Sequence, residues 1–121
     1  MKTILILAAA LALMIATPAA GDSGNEFYAS CSGPGASENY CIGYVLGAIE
    51  GWSAAMGLIR EGNPEVHLHG IALFALCPPD DHNLKQAFDI VVKYLRDHPE
   101  HRDRSMALLT RIALSEAWPC R

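Results

Sequence analysis

From Asn39 to about Arg60, apolar side chains recur at Cys41, Val45, Ile49, Trp52, Met56 and Ile59. Steps of three and four residues set them on one face of an α-helix. A second stretch, His82 to Asp97, carries Leu84, Phe88, Val91, Val92 and Leu95 in the same rhythm and is the clearest amphipathic segment of the chain. His98-Pro99-Glu100 interrupts it: Pro99 disfavours the helical conformation at His98 and suits the first turn of a new helix. A third helix is expected from there, with Glu100 and Asp103 early and Met106, Leu109, Ile112 and Ala113 on its apolar side. Ala117-Trp118 comes last, before Pro119 ends the helix.

The intervening stretches read differently. Residues 22–38 are rich in glycine and small polar groups and follow a period of neither 2 nor 3.6, so a loop-like N-terminus is expected. Glu61-Gly62-Asn63-Pro64 closes the first helix. Val66, Leu68 and Gly70 then alternate with His67, His69 and Ile71 as in a short strand, whereas Ile71 to Leu76 fits a buried helical turn equally well. Cys77-Pro78-Pro79-Asp80-Asp81 stops that segment and offers an aspartate to cap the next helix. The expected fold is all-α: a small disulfide-stapled helical domain of three main helices plus a short connecting segment.

Gly43, Gly47 and Gly51 run beside the apolar face of the first helix, and Ala55 continues their line. Each interior glycine costs roughly 0.5 to 1 kcal/mol against alanine, so three of them call for an offsetting gain. Close packing of another backbone within the domain is one reading, and a homodimer seam is the other.

The first twenty residues stand apart. Lys2, the uncharged run Ile4 to Ala16 and the small residues of Thr17-Pro18-Ala19-Ala20-Gly21 have the layout of a cleaved secretory signal, with processing expected between about Ala19 and Gly21. That run is shorter than the roughly 20 residues a spanning helix needs, and no later uncharged stretch is expected to span either. Residues 21–121 then form a single domain, expected to be soluble. With no cysteine at the cleavage zone, a lipid anchor of the bacterial lipoprotein kind is not expected.

Without Lys2, eight basic residues face thirteen acidic ones, a charge of about −5. Nucleic acid is an unfavourable partner, since phosphate binding needs clustered Lys and Arg. The apolar content, 51% with the signal included, supports one modest core of the size that benefits from cross-links.

Export makes disulfides the simplest use of the four cysteines. An antiparallel hairpin of the second and third helices returns Cys120 to the neighbourhood of Cys77, which leaves Cys31 with Cys41 around Gly33-Pro34-Gly35. If the segment 61–76 runs back along the first helix, Cys41 reaches Cys77 instead and Cys31 takes Cys120, so the pairing stays open.

Catalytic signatures are missing: there is no nucleophile elbow, no His-Glu-x-x-His and no glycine-rich phosphate loop before a helix. Asp80, Asp81 and His82 resemble an acid/base pair, but helix capping accounts for the aspartates. Glu65, His67 and His69 fall on one side of a short strand and resemble half a zinc site, but a site needs three or four ligands and a plain polar loop accounts for these residues. His82, His98 and His101 stand at helix starts or turns, where solvated polar residues are ordinary. No metal, cofactor or catalytic residue is assigned.

One set of motifs carries a family likeness: Tyr40-Cys-Ile-Gly-Tyr-Val-Leu-Gly47, Cys77-Pro-Pro79, Gln86 with Val91-Val-Lys-Tyr-Leu95, His98-Pro-Glu100, and Ala113-Leu114 ahead of Ala117-Trp-Pro-Cys120. In this order, behind a secretion signal, they resemble the Rap/Tai immunity proteins of bacterial type VI secretion, over about 80 residues. The resemblance implies a small helical periplasmic protein that is not an enzyme and that binds and blocks a peptidoglycan amidase toxin delivered by neighbouring cells. Occlusion is the mechanism expected of such an inhibitor, with disulfides pre-organising the loop that enters the toxin. The polar connection holding Glu61, Asn63, Glu65, His67 and His69 is the favoured insert, and Arg102 and Arg104 in the turn after His98 are second-rank contacts, on a solvated face. The rival is a periplasmic acid-stress chaperone, whose five histidines and many carboxylates would charge it positively in acid and free apolar surface for clients.

Overall fold

The computed structural model describes residues 21–62 and 76–120, which hold four α-helices and one 3-10 turn. The first helix lies where a loop is expected: α1 spans Gly24–Cys31. The Ser23 hydroxyl accepts from the Glu26 amide, and the Glu26 carboxylate accepts from the Ser23 amide at 2.7 Å. This reciprocal capping box satisfies two amides that a two-turn helix otherwise leaves open. A helix of eight residues is too short to display a period, yet Phe27 and Cys31, one turn apart, are both buried.

Helix α2 spans Glu38–Gly62 and α3 spans Leu84–Asp97, within two residues of the expected bounds. The cap of α3 is Asn83, whose side chain accepts from the Gln86 amide at 2.9 Å, rather than Asp80 or Asp81. The third expected helix starts later than Pro99. The chain first winds through a 3-10 turn, Pro99–His101, and only then enters α4, Met106–Ala117. Tertiary pairing accounts for the delay. The Asn25 amide donates to the Arg102 carbonyl at 2.8 Å, the Gly24 amide to the Arg104 carbonyl at 3.0 Å and the Met106 amide to the Asp22 carbonyl at 2.9 Å. Backbone groups needed to extend α4 towards Pro99 are spent on the segment that leads into α1.

That junction depends on a glycine. A Cβ at Gly24 would lie 2.5 Å from Leu109 Cδ1 and 3.0 Å from the Arg102 backbone, so only a residue without a side chain lets the two segments meet.

α3 and α4 form the expected hairpin, the most extensive helix pairing among the described residues. Val91, Leu95, Met106, Leu109 and Leu114 are essentially sealed from solvent between them, and Phe27 of α1 and Val45 of α2 close the core from the other side. Each such side chain contributes about 1.5 to 3 kcal/mol by leaving water. The hairpin brings Cys120 back to Cys77, with Cα atoms 5.0 Å apart, and the Cys77 amide donates to the Trp118 carbonyl. Cys31 and Cys41 form the second disulfide, with Cα atoms 5.8 Å apart, tying α1 to the start of α2. The pairing of Cys41 with Cys77 and Cys31 with Cys120 is therefore not the one formed.

The glycine stripe is open among the described residues. No described atom comes within 4 Å of a Cβ built at Gly43, Gly47 or Gly51, so no described backbone packs against it. From Glu38 to Leu58, α2 is also long and apolar enough, by length and composition alone, to cross a membrane. That length includes Glu38 and Glu50, so it is not the uncharged run that the sequence lacks past its first twenty residues. Its first half is nevertheless committed to the domain, through the Cys41 disulfide and the burial of Cys41 and Val45 in the common core.

Candidate functional site

Beyond Ile49 the character of α2 changes. Trp52, Met56 and Gly57 are half-buried, Ala54 and Ala55 are exposed, and Leu58 is 71% exposed. Between this half of α2 and the outer side of α4 lies a largely apolar cleft of about 250 Å3, walled by Gly47, Gly51, Trp52 and Ala55 on one side and by Leu76 and Arg111 on the other.

Arg111 is the chemical feature of the cleft. Its side chain projects from α4 and is only 8% exposed, and among the described residues Nε, Nη1 and Nη2 have no hydrogen-bond partner. The guanidinium lies over the indole of Trp52, with Cζ 4.8 Å from the ring centre. Removal from water lowers the Arg111 pKa, though an arginine stays charged. A buried cation without hydrogen bonds costs several kcal/mol, and one cation–π contact returns about 2. A polar acceptor, best a carboxylate with its two oxygens matched to the fork of the guanidinium, is what the described lining of this cleft lacks.

The residues named from sequence fall into three groups. Glu61 is exposed in the last turn of α2. Asn63, Glu65, His67 and His69, the favoured insert, lie outside the described residues, as does the half zinc site formed by the last three. Arg102 and Arg104 sit in the turn between α3 and α4, where Arg104 is exposed. Arg102 has internal work: Nε donates to the Leu95 carbonyl at 2.6 Å, Nη2 to the Arg96 carbonyl at 3.4 Å, and Cζ lies 3.8 Å from the Tyr28 ring centre. It caps the C-terminus of α3 and clamps α1 to it.

Arg111 escaped the sequence reading. It falls beside Ile112 and Ala113 on a helix whose apolar pattern looks complete without it, and an arginine in such a place ordinarily extends to water. The only local signal is its position one turn before Ser115 on a side of α4 that also carries Ala107 and Leu114.

Among the described residues, four helices, two disulfides and an apolar cleft lined by one arginine make a small helical domain. The chain matches the family model of Rap1a immunity proteins over residues 23–120, and it belongs to that family. No match was found among the curated proteins or among the solved structures. The motifs that carry the likeness hold the frame: Cys41, Cys77 and Cys120 are in the disulfides, Val91 and Leu95 are in the core, and Pro99 opens the 3-10 turn.

Proposed function

We propose that this protein is a periplasmic immunity protein that binds a peptidoglycan amidase effector of type VI secretion and occludes its active site, protecting the producing cell. The observation that carries this reading is the family match across residues 23–120, because an immunity protein acts by binding a toxin. Two features of the molecule support it. Disulfides at both ends of the helical frame suit an oxidising compartment such as the periplasm, which the secretory leader also favours. The cleft along α2 offers apolar contact area around one buried arginine, and arginine is among the residues that dominate protein–protein binding energy. A toxin side chain or loop carrying a carboxylate fits that chemistry.

The test is to mix the oxidised, leader-free protein with a periplasmically directed amidase encoded beside it, and to follow complex formation and peptidoglycan hydrolysis together. A stable complex in which hydrolysis stops supports the reading. Unimpeded hydrolysis with no complex overturns it and moves the function to another periplasmic binding role.

A further inference from the structure

We propose that His98, Glu100 and His101 form a binding site for a divalent transition-metal cation of the Zn2+ class, apart from the cleft along α2. A 3-10 turn has three residues per revolution, so side chains three apart eclipse one another. His98 caps this turn and His101 ends it, and their rings accordingly lie parallel, 5.4 Å between centres and 7° between planes. The turn is held by Pro99 at its first position and by the His101 amide, which donates to the His98 carbonyl at 3.1 Å.

Glu100 supplies the third donor. Its Oε1 lies 3.2 Å from His98 Nδ1 and 3.8 Å from His101 Nε2. Neighbouring ligands around a tetrahedral cation with bonds of about 2.1 Å stand roughly 3.4 Å apart, which these two separations bracket. One donor atom from each residue falls within 4.8 Å of the others, so small side-chain rotations close the set.

The surroundings already supply what holds such ligands in place. Tyr94, 8% exposed, places its hydroxyl 2.9 Å from His101 Nδ1. With Nε2 on a cation, Nδ1 carries the proton and donates to the Tyr94 oxygen, which fixes both the tautomer and the ring plane. The Tyr94 ring also lies against His98, with centres 4.4 Å apart, so one buried side chain steadies both imidazoles.

Two imidazole nitrogens and one carboxylate oxygen select Zn2+, Cu2+ or Ni2+ over Ca2+ and Mg2+, which want mostly oxygen donors. All three side chains are partly exposed, which leaves the remaining coordination positions to water. Among the described residues, His98 and His101 are the histidines brought together with a carboxylate, and the site stands whether or not the immunity reading does.

The experiment titrates ZnCl2 into the oxidised, leader-free protein after chelator treatment, by calorimetry at neutral pH, with CaCl2 as the control cation and CoCl2 as an absorption probe. One Zn2+ per chain, no heat from Ca2+ and a cobalt spectrum of low coordination number are expected. The His98→Ala/His101→Ala double variant should lose binding, Glu100→Gln should weaken it at least about tenfold, and Tyr94→Phe should weaken it about tenfold. Glu100 is 60% exposed, so its variant tests the site without disturbing the fold. Absence of Zn2+ binding by the parent protein overturns the proposal. So does binding that survives in both the double variant and Glu100→Gln, or that is lost instead in the Glu65→Ala/His67→Ala/His69→Ala variant.

Discussion

The two halves of α2 are built from similar residues and end in different surroundings. In the first half, Cys41 and Val45 are fully buried against α1, α3 and α4, and a disulfide fixes the helix to its neighbour. In the second half the same apolar rhythm continues through Trp52 and Met56, yet none of the described side chains beyond Ile49 is fully buried. The difference teaches that a periodic apolar stripe reports the capacity to bury a face, whereas what the face meets is settled by how far the partner helices extend. α3 and α4 run 14 and 12 residues against 25 in α2, so they cannot cover it end to end.

The contrast can be broken most forcefully at its extremes. Leu109→Ala removes a side chain with no solvent exposure and should cost about 2 to 5 kcal/mol in denaturant unfolding, while Leu58→Ala, at 71% exposure, should stay within about 0.5 kcal/mol. Equal costs would show that the second half of α2 is as tightly packed as the hairpin. Glycines provide the next test. Gly24→Ala forces a Cβ against Leu109 and the Arg102 backbone and should destabilise by about 1 to 3 kcal/mol. Gly47→Ala meets nothing described within 4 Å and should stabilise by about 0.5 to 1 kcal/mol. A loss of stability at Gly47 would mean that a close neighbour, in this chain or a second copy, rests on the stripe.

Arg111→Met sharpens the functional side of the comparison. Replacing a buried cation that lacks a described hydrogen-bond partner by an apolar side chain of similar length should leave stability unchanged or raise it by about 1 kcal/mol. If the cleft faces the toxin, the same variant should weaken toxin binding by about 2 kcal/mol, read as a slower association or faster release in a surface-binding assay. Lower stability with unchanged binding would make Arg111 a structural residue.

The smallest effect concerns the cap of α1. The two hydrogen bonds from Ser23, amide first and hydroxyl second, lower the Glu26 pKa in the folded chain. A group with a depressed folded pKa adds stability above its unfolded value, near 4.5, and that contribution disappears as pH falls through the lower folded value. The protection factors of the α1 amides, corrected for intrinsic exchange at each pH, should therefore fall in acid, and Glu26→Gln should show the lower protection already at neutral pH without further loss on acidification.

Much of the frame was legible in the sequence because it rests on local rules. Periodicity located α2 and α3 to within two residues, and the proline after His98 placed the break before the last helix. The hairpin logic favoured the two disulfides that form. What stayed hidden shares one cause. The capping box at Ser23 and Glu26 was present as a motif, but a two-turn helix gains its stability from docking Phe27 and Cys31, which local sequence does not reveal. The late start of α4 follows from hydrogen bonds to residues some eighty positions earlier. Of the candidate cleft, the described lining includes none of the partner contacts named from polarity, and Arg111 was missed because its burial depends on Trp52 across the cleft.

By itself, then, the sequence determined a cysteine-stapled, all-α chain of the Rap1a family, since helix periods, proline breaks and cysteine order are written along the chain. The tertiary structure alone decided which apolar face stays open among the described residues, where a buried guanidinium stands without a described hydrogen-bond partner, and that His98 and His101 stack around Glu100. Those outcomes depend on distances between segments remote in sequence, or on the winding of a turn that spacing leaves undetermined, and burial and electrostatics act only once such distances exist.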